Sequence, residues 1–327
     1  MKPNIFDIAT KELSQDGFFT WLIKWADPDC KNYDEELNKC SQNFVKFLID
    51  KDFSYNIDIK KVKAGRQWHN IDLWAQINDE ILIIIEDKTS TFEHSNQLEK
   101  YKKFADDWCK KNNYKLVLIY LKTGTEFSGN SDKISQKGYI NIDRNELINF
   151  FNNYSKIKND IFQDYYERLI SIDKADNSFL ELPVKDWTNN SWIGFYKFLE
   201  TKIAVTGWKY VPNQSGGFIG LWWHFLKWKD NKVYLQIEQG NFCFKIEATK
   251  NTSLTRNEWY NIIMKQTKIK GLNEIKKPKR FGRGIWMTVA YIDKKNWLGS
   301  DDSIINKEIV VNKLKNYEKF LDDCINN

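Results

Sequence analysis

Four residues have the types and spacing to do chemistry together. Asp72 lies in Ile71-Asp72-Leu73-Trp74, and Glu86, Asp87 and Lys88 close the stretch Ile84-Ile85-Glu86-Asp87-Lys88. Strand alternation places Glu86 and Lys88 on one face and Asp87 on the other. They follow Ile81 to Ile85, the longest aliphatic run in the chain. Charge at the end of a buried strand is costly unless it is partnered. Two carboxylates held side by side repel, and a divalent cation relieves that repulsion. Mg²⁺ takes one or two carboxylates, keeps several waters and accepts phosphate oxygens. Such an ion acidifies a bound water and offsets charge that builds on a phosphate. Lys88 can hold or help deprotonate the attacking water, or neutralise the transition state. Hydrolysis of a phosphodiester needs these parts.

The hairpin between the two segments tests this reading. A two-residue turn at Asn78-Asp79 sets Asp72 opposite Ile85 and takes it off the face of Glu86. A three-residue loop, Asn78-Asp79-Glu80, or one bulge pairs Asp72 with Glu86. The chemistry therefore predicts a specific irregularity in this hairpin.

The elements that must position these groups read as α/β. Phe18, Trp21, Leu22 and Trp25 recur at helical spacing until Asp27-Pro28. A second helix is predicted from about Asp34 to Asp50. Extended segments follow at Tyr55–Val62, Ile71–Ile77 and Ile81–Ile85, the last apolar on both faces as a central strand must be. A helix over Ser95–Lys111, strands at Leu116–Leu121 and Tyr139–Ile142, and a helix from Glu146 to Tyr154 complete a mixed sheet flanked by helices.

These residues resemble the PD-(D/E)XK nuclease superfamily. Asp72 matches the first acid of its motif, Glu86 the second and Lys88 the lysine, while Ile71 stands where the pattern has proline. The resemblance implies a restriction-endonuclease-like fold and a metal held by Asp72, Glu86 and the backbone carbonyl of Asp87. Gln97 and Tyr101 resemble the QxxxY element of the following helix. Being four apart, they share a helical face, from which they could contact the nucleic-acid backbone or brace the site. Many members also carry an acid near the first helix, which Glu12 or Asp16 could match, with Glu12 preferred. The likeness covers roughly residues 4–150. The opening Glu12-Leu13-Ser14-Gln15-Asp16 with Phe18-Phe19 and Trp21 looks like a bacterial subgroup. Metal-dependent hydrolysis of DNA by an endonuclease follows as the implied activity, in a defence or repair setting, with Mg²⁺ as cofactor and Mn²⁺ as a substitute. A homodimer is a further expectation, since cutting both strands takes two sites.

The chain divides at about residue 175, giving a catalytic part, 1–175, and a basic, aromatic-rich α+β part, 176–327. Helices are predicted at Phe162–Ile172, Trp192–Lys202, Asn261–Lys270 and Lys307–Ile325, and a strand at Trp286–Tyr291. Gly207–Ile246 reads as a curved meander rich in aromatics, which are first of all a core; some rings could stack on bases. Residues 201–300 contain 18 Lys and Arg against 6 Asp and Glu, a net +12, whereas the rest of the chain nets −6. Charge so concentrated fits a polyanionic partner, nucleic acid above all. Lys265, Lys268, Lys270, Lys276, Lys277, Lys279, Arg280 and Arg283 are the candidate phosphate contacts, with only Glu274 among them in sequence.

Composition excludes other classes. With 42% hydrophobic and 29% charged residues the chain is a folded protein, not a disordered one. No apolar run approaches the length of a membrane span, and the N-terminus lacks a signal-peptide core, so a cytoplasmic location is expected. The five cysteines are scattered without a CxxC pair, and the three histidines, His69, His94 and His224, lack zinc-ligand spacing. Two other readings stay open. Asp72 and Lys88 would also suit an ordinary cross-strand ion pair in a binding module with an unused nuclease fold. RNA recognition leaves no simple motif, so an RNA-directed nuclease fits equally.

Overall fold

The computed structural model describes residues 2–53, 57–89, 96–213 and 216–326. They form two compact units, residues 1–125 with 130–174 and residues 126–129 with 175–327.

The first unit contains α1 (Ile5–Ile8), α2 (Glu12–Lys24), α3 (Glu35–Asp50), β1 (Val62–Trp68), β2 (Ile71–Ile77), β3 (Ile81–Lys88), α4 (Gln97–Asn112), β4 (Lys115–Lys122), α5 (Ser128–Gln136), β5 (Ile140–Asp143), α6 (Arg144–Asn152) and α7 (Asp160–Asn177). Its five strands lie in the order β1-β2-β3-β4-β5. The first three run antiparallel, and β4 and β5 add parallel to β3. This is the mixed α/β sheet expected from the sequence.

Every residue of β3 is buried. Its alternation sorts the core into two layers. Ile81, Ile83 and Ile85 pack with Leu73, Ala75, Ile77 and the α2–α3 side chains Phe19, Leu22, Phe44 and Leu48. Leu82 and Ile84 pack with Leu98, Ala105 and Cys109 of α4. Helix α3 begins where Asp34 accepts the Leu37 N–H, an N-cap.

The β2–β3 hairpin has the predicted irregularity. Ile77 pairs with Ile81, so Asn78-Asp79-Glu80 form a three-residue loop, and the register runs on to Leu73 beside Ile85. Continued by one residue, it sets Asp72 level with Glu86. Asn78 and Asp79 both take left-handed backbone, φ 56° and 55°, which their short polar side chains tolerate better than most. The Asn78 Oδ1 accepts the N–H groups of Lys60 and Lys61, and its Nδ2 donates to the Asp58 carbonyl.

Those bonds explain one correction. The predicted strand Tyr55–Val62 is absent where it can be followed: residues 57–61 are irregular, and Tyr55 lies outside the described residues. Ile57 and Ile59 are buried as their alternation implied, but the donors of Lys60 and Lys61 go to a side chain, not to a neighbouring strand. The first strand instead starts at Val62. It runs through Gly65, where an added Cβ would come within 2.9 Å of the Trp74 indole. Helix α5 is also additional to the predicted order.

The second unit contains α8 (Asn189–Glu200), β6 (Val205–Val211), β7 (Phe218–Trp228), β8 (Asn231–Glu238), β9 (Asn241–Glu247), α9 (Thr252–Lys270), β10 (Ile275–Lys276), β11 (Trp286–Ile292), α10 (Lys294–Trp297) and α11 (Lys307–Asn326). Its sheet is antiparallel, ordered β10-β11-β9-β8-β7-β6. Register shifts interrupt β6–β7, β7–β8 and β9–β11, and such bulges bend strands. The meander aromatics are largely core: Trp208, Trp223, Trp228, Phe242 and Phe244 pack with Trp259, Trp297 and Phe320. Residues 175–177, the end of α7, belong to this unit, and helix α8 packs on them so closely that a Cβ on Gly194 would lie 1.8 Å from the Asp176 carbonyl oxygen. All five cysteines are free thiols. Among the described residues no helix is long and apolar enough to cross a membrane.

Candidate active site

The end of β3 brings three oxygens around one cation. The Lys88 Nζ lies 2.6 Å from Glu86 Oε1 and 3.5 Å from Asp72 Oδ2, and it donates to the Asp87 carbonyl oxygen at 3.2 Å. Asp72 Oδ2 also accepts the Asp87 N–H at 3.2 Å. The hairpin register produces this convergence, because it sets Asp72 on the face of Glu86 and Lys88.

Burial sets the electrostatics. Glu86 is fully buried. Desolvation, helped by the Asp72 charge, raises its carboxyl to about 8 against the pull of Lys88. Burial disfavours the Lys88 ammonium too, but Glu86, Asp72 and Glu12 outweigh it, and the net shift is upward. In this arrangement Lys88 is a cation at neutral pH.

A second polar layer lies behind the strand, on the face of Asp87. The buried Gln15 Nε2 donates to Asp87 Oδ1 at 2.5 Å. The Gln15 Oε1 in turn accepts Thr123 Oγ1–H and Tyr165 O–H, each at 2.9 Å. Asp16 faces Asp87. Desolvation raises Asp16 to about 6, and desolvation together with the Asp16 charge drives Asp87 well above the carboxylate range. Two buried acids that cannot both ionise will share a proton. Sequence reasoning missed this linkage. Its signal was that Gln15 and Asp16 stand in phase with Phe18, Phe19 and Leu22, polar groups on a buried helix face.

The remaining predicted residues of the first unit fall as follows. Glu12, at the start of α2, accepts the Thr89 N–H at 3.0 Å and Thr89 Oγ1–H at 3.3 Å, next to Lys88 in sequence. Of the two acids weighed for this helix, Glu12 reaches the end of β3 and Asp16 turns to Asp87. Gln97 and Tyr101 do share a face of α4, with Gln97 Nε2 donating to the Tyr101 hydroxyl at 2.8 Å. Burial raises the Tyr101 hydroxyl, and the charges of Glu86 and Asp72 act on it in the same sense. His69 packs its ring 4.4 Å from Phe104. His94 lies outside the described residues. His224, in the second unit, meets Asp322 at 2.9 Å.

The basic segment of the second unit is not uniform. Lys270 pairs with Asp323 and Lys276 with Asp293, so Glu274 is not the only acid against it. Lys277 lies over the rings of Tyr260 and Phe281. Lys265, Lys268, Lys279, Arg280 and Arg283 are exposed, with no hydrogen-bond or ion-pair partner among the described residues.

A divalent metal suits the donors at the end of β3. Asp72 Oδ2, Glu86 Oε1 and the Asp87 carbonyl already gather on one positive atom. Both Glu86 oxygens are buried without a hydrogen-bond partner among the described residues, Oε1 meeting the Lys88 charge as an ion pair. No three His, Cys, Asp or Glu side chains among them form a metal-holding group. A metal here would lean on the main-chain carbonyl and on solvent, as Mg²⁺ does.

The family model described as PD-(D/E)XK nuclease superfamily matches residues 3–171, over half of the chain. The chain belongs to that superfamily, whose members generally use divalent metal ions. No curated protein and no solved structure matches it.

Proposed function

We propose that this protein is an Mg²⁺-dependent DNA endonuclease, cytoplasmic, with its reacting groups at the end of β3. The observation that carries the reading is the gathering of Asp72 Oδ2, Glu86 Oε1 and the Asp87 carbonyl within 3.5 Å of Lys88 Nζ. Asp72, Glu86 and the Asp87 carbonyl would hold the metal. When bound, the ion supplies an acidified water and a counter-charge for the phosphate. Lys88, kept cationic by the acids around it, orients the attacking water and balances charge that builds on the phosphate oxygens. Gln15 fixes the Asp87 side chain from behind, and so fixes the peptide whose carbonyl faces the site. Glu12 holds the chain at Thr89. Gln97 and Tyr101 brace the site from α4.

DNA as substrate, a defence or repair role, and a homodimer that supplies two sites for two strands are parts of this reading. The +12 net charge of residues 201–300 supports a polyanionic partner.

The test incubates purified protein with supercoiled plasmid, linear duplex, single-stranded DNA and RNA. Each is combined with Mg²⁺, Mn²⁺ or EDTA, beside Lys88→Ala and Asp72→Asn. Metal-dependent cutting of DNA, lost in both variants, is the expected result. Cutting of RNA alone would replace the substrate. Binding without cutting of anything would leave a nucleic-acid-binding module.

A further inference from the structure

Trp286 opens β11 on the side of the second sheet that the core does not use. Its neighbours Met287 and Val289 belong to the core, whereas Trp286 is 65% exposed and touches no other ring among the described residues. Burying an indole is strongly favourable, so one left in solvent asks for a partner. Across the sheet it stands level with Glu247 of β9. Thr288, two residues on, accepts from the Lys245 ammonium at 3.0 Å, which also donates to Glu238 at 3.0 Å. Further along this face the half-exposed Phe225 stacks on Tyr234 at 4.5 Å. The face therefore carries two exposed rings, Trp286 and Phe225, while Tyr234 and Lys245 beside them are buried. Its carboxylates Glu238 and Glu247 are faced by Lys245 and Lys232.

The segment leading into Trp286 is built to present cations. Phe281 anchors it to α9. The ring lies edge-on to Tyr260 at 5.3 Å, with the Arg256 guanidinium 4.6 Å and the Lys277 ammonium 5.2 Å from its centroid. Arg256 Nη1 also donates to the Gly282 carbonyl at 2.9 Å. Turning Phe281 inward leaves Lys279, Arg280 and Arg283 outward, without partners among the described residues. Arg283 stands three positions before Trp286, a span of at most roughly 10 Å.

A ring that can stack, next to cations with nothing to neutralise, fits a strand whose bases are unpaired. Stacking on aromatic side chains needs a free base face, which a duplex hides, and the adjoining phosphates supply the negative charge. We propose that Trp286 and the Lys279–Arg283 segment form a binding site for single-stranded DNA, with the indole on a base and Lys279, Arg280 and Arg283 on the flanking phosphates. The choice of DNA rests on the reading given under the proposed function. The single-strand preference rests on Trp286 itself.

Fluorescence anisotropy of the 327-residue chain, in EDTA so that nothing is cut, tests the site. The probes are a labelled single-stranded DNA, the duplex made from it, and the RNA of the same sequence, each titrated over a range of salt. Trp286→Ala should weaken single-strand binding on the order of tenfold while sparing the duplex, and Trp286→Phe should keep most of the affinity. Arg280→Ala with Arg283→Ala, both on an exposed segment, should flatten the slope of log affinity against log salt by about 1.4, near 0.7 per phosphate contact. Unchanged single-strand binding by Trp286→Ala, an equal loss on duplex, an unchanged salt slope, or tighter binding of RNA than of DNA would each overturn the proposal. So would wild-type protein that binds no single strand in EDTA, and the plasmid assay would then still decide the nuclease reading separately.

Discussion

At the end of β3 the charged groups Glu86, Asp87 and Lys88 are buried, and every one of them faces a neighbour of opposite or shared charge. In the segment before β11 the charged groups Lys279, Arg280 and Arg283 are exposed and face nothing among the described residues. The first arrangement is costly to build, because desolvation penalises each ion and is offset only by close partners. The second costs almost nothing, because water solvates the cations. A protein accepts the first cost where geometry must be held within a fraction of an ångström. It leaves cations free where a flexible polyanion has to be met. On this contrast we propose that the first unit carries the chemistry and the second the grip.

The largest effect should come from the buried group. Asp72→Asn or Lys88→Ala should lower metal-dependent cutting on the order of a hundred- to a thousandfold while leaving DNA affinity in EDTA close to wild type. A parallel loss of affinity, read in the anisotropy titration, would dissolve the contrast. Next comes pH. Glu86 binds its proton up to about 8 in the folded chain, against 4.5 ordinarily. Between those values the folded state holds more protons than the unfolded one, so metal-free stability must fall as pH rises. Asp87 adds in the same direction. Thermal melts in EDTA should thus show a lower midpoint at pH 8 than at pH 5, and Glu86→Gln should flatten the trend. A midpoint that climbs with pH would show that Glu86 is already ionised. Gln15→Ala should act through position. It strips a buried carboxyl oxygen of its donor, a loss of about 1–3 kcal/mol in a urea titration, and lowers cutting more than binding. The smallest effect belongs to the paired cations. Lys270→Ala and Lys276→Ala should change single-strand affinity less than Arg280→Ala, since Asp323 and Asp293 already neutralise them; an equal change would mean that pairing does not matter.

How much of this could be read beforehand depended on whether pattern and chemistry agreed. In β2 and β3 they did. The aliphatic run fixed the central strand, the acids fixed its facing, and together they required a three-residue loop or one bulge, of which the loop is present. At β1 they conflicted: Ile57 and Ile59 alternate like a strand but precede it, while the strand itself carries Lys63, Arg66 and Gln67 and lies at a sheet edge. Helix α5 escaped notice because it buries only Ile134. Within the site, Asp72, Glu86 and Lys88 were legible from local spacing. Gln15 beside Asp87 was not, since 72 residues separate them: the helix phase marks Gln15 as facing inward but does not say what it meets. For the same reason the basic run read as one block, until Asp293 and Asp323 were found to claim two of its lysines.

The loop Asn78-Asp79-Glu80 also bears on how this protein tolerates change. Most substitutions there would leave the two strands facing as they do. A deletion of one residue would not, because opposing side chains would exchange sides. Either Leu73, Ala75 and Ile77 would leave their layer of the core, or Asp72 would part from Glu86. The length of this turn is thus as much a part of the site as any side chain, and a survey of point substitutions would pass over it.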